Sequence, residues 1–383
     1  MNPDKEIKSL TGLRGIAALY VVLFHFFIGQ HFTNPFTTLL AHGYLAVDIF
    51  FVLSGFVMTL TYSHLFDRGH SLASYGKFLG KRIARVYPLY LVGTLCAFVL
   101  IILGVLEAPH LQLRFALLWN LLMVQSWGIT ESLDGPGWSI STEWAAYLLY
   151  PAFLLLFVRN RAGRWSAIAL SIGTLVFLSF SPLAHAHAVD SAAILDVHDW
   201  HYGLPVLRCL AEFVLGMIAY QFSTTSSGIR FASRAWIQDA LAVVAIMLLT
   251  IPRTDFLMVC SIPPLLAGLA RGGSFVARIL GSKPMELAGR YSYSIYLIHT
   301  LLYGVLGWIH HQVNAAGLKH GQTFAALIGI SLTIPLAALA YHSIEKPGRA
   351  FIRNLIEGRT QTALAPLASP QLSPASAGLE PNE

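Results

Sequence analysis

Apolar residues in this chain gather into runs of roughly bilayer length, separated by short polar stretches that collect most of the basic residues. A spanning helix needs ~20 predominantly apolar residues at ~1.5 Å rise each. Ten runs meet or approach that length: about 11–30, 43–63, 87–106, 143–158, 165–183, 205–222, 237–251, 256–270, 292–310 and 323–343, the seventh and eighth being short. An eleventh run, 114–127, could be a further crossing or a re-entrant or interfacial helix. The Lys and Arg distribution decides between them. With ten crossings and the N-terminus inside, 21 of the 25 Lys and Arg lie on the cytoplasmic side, and only Arg114, Arg208, Arg253 and Lys319 lie elsewhere. Letting 114–127 cross would invert every later segment and destroy that bias, against the positive-inside rule. The pattern predicts an all-α polytopic bundle of about ten transmembrane helices plus one re-entrant or interfacial helix, with both termini cytoplasmic.

The helices fill residues 8–350 as one membrane domain and leave no room for a second. Residues 351–383 turn rich in Pro, Ser and Ala, and we expect a disordered cytoplasmic tail there. Composition agrees: 55% of residues are hydrophobic and 11% charged, against ~25% charged in soluble domains. The net charge of +6 is no nucleic-acid signal, because the basic residues flank apolar runs. Cys96, Cys209 and Cys260 sit singly, without metal or disulfide spacing. The first run lacks a small-residue cleavage site and reads as a retained anchor.

That first run carries Arg14 near one end and His25 well inside. Eleven residues at ~100° each come within ~20° of three full turns, so both share a helix face, ~16 Å apart along the axis. Ionisable groups in a spanning helix usually face a protein interior or a water-filled cavity. The second run, GYLAVDIFFVLSGFVM, embeds Asp48. If the first two helices are antiparallel, Asp48 and His25 lie at similar depth, and a carboxylate there could orient the imidazole. Asp48 could equally serve backbone amides near a helix end. Gly43 and Gly55 read as close-packing positions. Arg82 and Arg85, three apart in KFLGKRIARVYPLY, share a helix face. They either set topology or grip an anion bidentately. In GPGWSISTEW, Ser139, Ser141 and Glu143 gather at the outer mouth of the fourth run. The serines could simply cap the helix. Arg208 and Glu212, four apart, read as a structural pair. His299 could line a cavity or be a satisfied packing histidine.

Six strings in register, LTGLRGIAALYVVLFH, GYLAVDIFFVLSGF, KRIARVYP, GWSISTEW, YSYSIYLIH and HSIEKPGR, resemble the membrane-bound acyltransferase-3 family, the integral acyltransferases of bacterial surface polysaccharides. The matches run from about residue 8 to 349, and the serine–glutamate segment matches loosely. The extracytoplasmic hydrolase-like domain that some members append is not found here. The resemblance implies transfer of an acyl group, most often acetyl, from cytoplasmic acyl-CoA (acetyl-CoA) to a hydroxyl of a glycan or lipid-linked glycan at the outer face of the bacterial inner membrane. Arg14, Arg82 and Arg85 would then hold the donor, and Ser139 and Ser141 would contact substrate. His25 would be the general base, with Asp48 or Glu143 orienting it. A route through an acyl-histidine or acyl-serine is equally open. No metal is called for, and the partners expected are acyl-CoA, the glycan acceptor and membrane lipids, not nucleic acid. The rival reading is a transporter or flippase using the same buried charges, which inverted repeats would mark; none is evident.

Overall fold

A computed structural model of the chain describes residues 6–27, 35–67, 69, 71–107, 112–185, 193–317 and 320–364. Among these there is no β-strand. The main helices are α1 (Lys8–Phe27), α2 (Ala46–Tyr62), α3 (Leu72–Ile102), α4 (Leu113–Leu121), α5 (Gly137–Phe153), α6 (Arg161–Phe180), α7 (Leu204–Thr224), α8 (Ala235–Leu248), α9 (Asp255–Leu269), α10 (Lys283–Ile298), α11 (Tyr303–Ala315), α12 (Gly321–Ala340) and α13 (Lys346–Leu364). Among the described residues, eight helical stretches are long and apolar enough to cross a membrane, or nine if α8 and the short helix before it form one bent span. The chain is a multi-pass membrane protein. The expected seventh and eighth runs are α8 and α9, which at 14 and 15 residues are the shortest of the ten.

α4 has nine residues, ~14 Å of helix, too short to cross. The chain then turns at Met123, whose φ is +58°, and runs without regular helix to α5. Irregular backbone at membrane depth survives only where protein satisfies its polar groups. Here two buried amides do so. Asn120 Nδ2 donates to the carbonyls of Ala116 (2.8 Å) and Glu131 (3.0 Å), and its Oδ1 accepts from Leu133 N. Gln125 Nε2 lies within 3.1 Å of Tyr90 Oη, Ser132 Oγ and the Gly137 carbonyl, which share its two hydrogens.

Two close helix pairs organise the interior. α1 packs most extensively on α10, and α2 on α7. Each pair meets through glycines. A Cβ on Gly289 would lie 1.9 Å from the Thr11 carbonyl oxygen, and one on Gly55 would lie 1.8 Å from that of Phe213. Only glycine permits backbones this close, as expected for small residues at helix crossings. The first contact fixes Arg14 and His25 beside α10; the second fixes Asp48 beside α7.

The basic stretch before the third run is not a separate loop. Arg82, Arg85 and the apolar residues after them form one 31-residue helix, α3, with Pro88 inside it. At ~46 Å it outruns ~30 Å of hydrocarbon, so its basic first turns extend past the apolar part. At the other end of the chain, a π-helical turn at Tyr341–Glu345 leads into α13. Helix thus continues to Leu364, into the stretch expected to be disordered, because α13 packs on α3 with Ile356 filling the space over Gly80. Residues 365–383 of the expected tail lie outside the described residues.

Candidate active site

A cavity of about 490 Å³ opens between α1, α2, α3, α5 and α10. Its lining on α2 runs from Phe50 to Tyr62, ~18 Å of helix. Arg14, Arg82, Arg85, Arg290 and Arg349 line it, against the carboxylates of Glu6 and Glu143. The three arginines singled out in the sequence therefore converge, but they are not equivalent. Arg85 is ion-paired to the buried Glu345, which also accepts from Ser294 Oγ at 2.8 Å. The π-helical turn is what brings Glu345 to that position. Arg82 donates to Tyr147 Oη at 2.9 Å and stacks over the same ring at 4.6 Å, so its hydrogen-bond partner is neutral. Arg14, half-buried, has no hydrogen bond or ion pair among the described residues.

Glu143 accepts from Ser54 Oγ on this same wall. Ser139 also lines the cavity, and its Oγ lies 2.7 Å from Tyr296 Oη and 3.0 Å from the Pro136 carbonyl. Ser141 does not line it. Its Oγ accepts from Ser126 N, and its carbonyl accepts from Trp127 Nε1 at 2.9 Å. Fully buried, it anchors the irregular segment before α5 rather than presenting a hydroxyl to a substrate.

His25 stands one side chain beyond the cavity. Tyr296 lines the cavity, and its carbonyl oxygen lies 2.7 Å from Nδ1 of His299. His299 Nε2 in turn lies 2.8 Å from Nδ1 of His25, the rings stacked at 4.9 Å. The partner of His25 is thus another histidine. Neither Asp48 nor Glu143 is brought to it. Asp48 has no exposed surface and both its oxygens go to Arg208, because the glycine contact between α2 and α7 aligns the two. Glu212, also fully buried, lies 3.6 Å from the same guanidinium. Arg208 lies 5.8 Å over the Trp138 ring and donates to the Val197 carbonyl. Sequence spacing gave Glu212 as its partner but could not supply Asp48.

The loop entering α7 lies on the same side. His198 is ion-paired to Asp196 at 2.9 Å and is 6.3 Å from Trp138. Each raises or lowers the other: the carboxylate lifts His198 above its ordinary value and the imidazole draws Asp196 down, both opposing burial, the largest single influence. Among the described residues no His, Cys, Asp and Glu group could hold a metal ion.

Membrane-length helices around a cationic cavity, with an imidazole pair behind Tyr296 of its wall, define a membrane protein that presents guanidinium groups to the cavity. Comparison with known proteins makes the class specific. Residues 7–342 match the acyltransferase domain of the acyltransferase-3 family, and the chain belongs to that family. It is 28% identical over 356 residues to Acyltransferase MdmB of Streptomyces mycarofaciens, the match covering 88% of each protein. It is 24% identical over 372 residues to peptidoglycan O-acetyltransferase OatA of Listeria monocytogenes, covering 90% of this chain and 56% of that protein. It is 23% identical over 400 residues to putative peptidoglycan O-acetyltransferase YrhL of Bacillus subtilis, covering 95% and 60%. The chain thus spans little more than half the length of those two O-acetyltransferases.

Proposed function

We propose that this chain moves an acyl group, in the simplest case acetyl, from coenzyme A on the cytoplasmic side to a hydroxyl of a cell-surface glycan outside the bacterial inner membrane. The observation that carries this reading is the arginine-lined cavity that ends at Tyr296, whose carbonyl holds His299 and through it His25. Guanidinium groups suit phosphates, which they grip by charge-assisted, often bidentate hydrogen bonds. Arg14 and Arg82, neither of them held in an ion pair, would meet them, with Arg85 in support. An extended thioester arm can follow the ~18 Å of lining along α2 toward Ser139 and Tyr296. There His25 accepts the proton of the glycan hydroxyl. The hydroxyl oxygen bonds to the thioester carbon, the C–S bond breaks, and the imidazolium returns its proton to the departing thiolate. Glu143 lies on the donor path, and Asp48 supports the site from a distance by holding Arg208. A glycan acceptor is supported by the peptidoglycan named for two relatives. In this reading residues 8–350 form the catalytic membrane domain, with both termini cytoplasmic.

The test is transfer of labelled acetyl from acetyl-CoA to glycan by the purified chain in proteoliposomes, with donor binding measured separately. Loss of a general base typically costs ~10²–10⁴-fold in rate. His25→Ala should lose transfer to that extent and still bind acetyl-CoA. Near-normal turnover in that variant would remove His25 from the chemistry, and absence of saturable acetyl-CoA binding by the wild type would remove the donor.

A further inference from the structure

We infer that His299 fixes the tautomer of His25, so that Nε2 of His25 is the atom that accepts a proton. The hydrogen-bond chain starts at the end of α10. The helix stops at Ile298, so the carbonyl of Tyr296 belongs to the last turn, where intrahelical partners run out. His299, fully buried, begins a 3₁₀ turn and places Nδ1 2.7 Å from that oxygen. A carbonyl can only accept, so Nδ1 of His299 carries the hydrogen. A neutral imidazole has one donor and one acceptor nitrogen, which makes Nε2 of His299 an acceptor. Burial among Phe26 and Tyr296 rings, each about 6.1 Å from it, disfavours the doubly protonated, charged form. The atom 2.8 Å from Nε2 is Nδ1 of His25, which must therefore donate. The lone pair of His25 is left on Nε2, and no described residue hydrogen-bonds to that nitrogen.

The carbonyl–histidine–histidine chain does what a carboxylate does elsewhere, holding one tautomer and one ring orientation, without placing a negative charge in the membrane. It also keeps its sense during reaction. When Nε2 of His25 takes the hydroxyl proton, Nδ1–H still donates to His299, now as the stronger charge-assisted bond. Reversal of the chain would put the hydrogen on Nε2 of His25 and leave nothing there to accept. His299 is thus a positioning residue, and its catalytic consequence rests on the reading of His25 as the base.

The experiment is ¹⁵N NMR of the full chain labelled at histidine and held in detergent micelles, with the His25 signals assigned by their absence in His25→Gln. The wild type should show a protonated Nδ1 and an unprotonated Nε2. His299→Gln retains an acceptor oxygen for His25, and should keep that pattern with turnover within several-fold of wild type. His299→Leu removes the acceptor, so it should mix the tautomers and lower kcat by ~10²-fold with the KM for acetyl-CoA unchanged. A hydrogen on Nε2 in the wild type would overturn the proposal, as would wild-type tautomer and kcat in His299→Leu. If the leucine variant does not fold, the wild-type spectrum and His299→Gln still decide it. An active His25→Ala would refute the base assignment alone, since the spectrum reads the tautomer whether or not His25 reacts.

Discussion

Arg208 and Arg14 both interrupt apolar helices, yet the bundle treats them in opposite ways. Arg208 has no exposed surface and is gripped by Asp48, with Glu212 3.6 Å away. Arg14 borders a 490 Å³ cavity and has no hydrogen bond or ion pair among the described residues. The same contrast runs through their surroundings. Around Arg208 the polar groups are sealed between helices, Asp48 bonded to the guanidinium and Glu212 facing it at 3.6 Å. Around Arg14 they line open space, and the cationic groups outnumber the carboxylates. An ionisable group inside a membrane marks either a structural pair or a pathway, and access to space separates the two here. The contrast makes separable predictions: changes on the sealed side should be read in stability, and changes on the open side in ligand affinity.

The largest effect belongs to the sealed pair. Arg208→Met leaves Asp48 and Glu212 buried without their counter-ion, and breaking one member of a buried pair costs ~3–5 kcal/mol. The folded fraction recovered from membranes should fall sharply, as read by thermal unfolding in detergent. Adding Asp48→Leu together with Glu212→Leu should restore much of the loss, since replacing every partner of a buried charge cluster by apolar groups is often close to neutral. A single variant as stable as wild type would show that the pair is not sealed.

How much of this was legible in the chain follows the same divide. The helices were, because bilayer-length apolar runs depend on local sequence alone, and the charge bias rightly kept α4 from being a crossing. Three of the five cavity arginines were legible too, because Arg14, Arg82 and Arg85 follow from position on a helix face, whereas Arg290 and Arg349 were not singled out. Partners distant in sequence were not. Asp48 lies 160 residues from Arg208, Glu345 lies 260 from Arg85, and His299 lies 274 from His25. Helical spacing carries no signal over such distances. Asn120 and Gln125 were overlooked for another reason: their task is to satisfy irregular backbone, which leaves no periodic trace. Two polar amides inside the predicted re-entrant or interfacial helix were the available clue.

A second sealed group sharpens the comparison through pH. Asp134, before α5, accepts from Thr300 Oγ at 2.9 Å and is otherwise enclosed. Burial pushes its carboxyl up to about 7 despite that hydrogen bond. Between the ordinary value near 3.8 and about 7 the folded chain therefore keeps a proton that the unfolded chain releases. Stability should fall as pH rises across that window and level off above it, by roughly 4 kcal/mol over the whole window and roughly 3 kcal/mol of that above pH 5. Asp134→Asn should flatten the dependence. Thermal unfolding at pH 5 and pH 8 measures it, and an equally steep slope in the asparagine variant would place its origin elsewhere.

On the open side the effects move to the donor. Arg14→Ala removes a cation with no protein partner, so it should leave the melting temperature nearly unchanged and weaken acetyl-CoA binding by ~10-fold, about 1.4 kcal/mol. Arg82→Ala should weaken binding to a similar extent, with some loss of stability because Tyr147 loses both its hydrogen bond and its stacked partner. Titration calorimetry on the two variants compares them directly. Unchanged affinity in both would return these arginines to setting topology.

The smallest effect on donor affinity is expected at Arg85, and it tests whether counter-charge or location governs the cavity. Arg85 lines the same space as Arg14 and Arg82, so location alone would make all three alike. Glu345, however, already compensates it, and that carboxylate is itself fixed by Ser294. A donor phosphate would meet a guanidinium whose charge is largely spent, leaving ~2–3-fold in affinity to lose in Arg85→Ala, less than the tenfold that 1.4 kcal/mol represents. Stability should respond more than affinity, because Glu345 is then buried without its partner. Removing the carboxylate should act in the opposite sense on the donor. Glu345→Gln keeps an acceptor oxygen for Arg85, with the Ser294 hydroxyl turning to accept from the amide, and frees the charge of Arg85, so acetyl-CoA should bind at least as tightly as to wild type. Tighter binding in Glu345→Gln that disappears when Arg85→Ala is added would show that the ion pair holds the arginine back from the cavity. Weaker binding in Glu345→Gln would mean instead that the pair positions Arg85 for the phosphate, and that the sealed and open arginines differ less than their surroundings suggest.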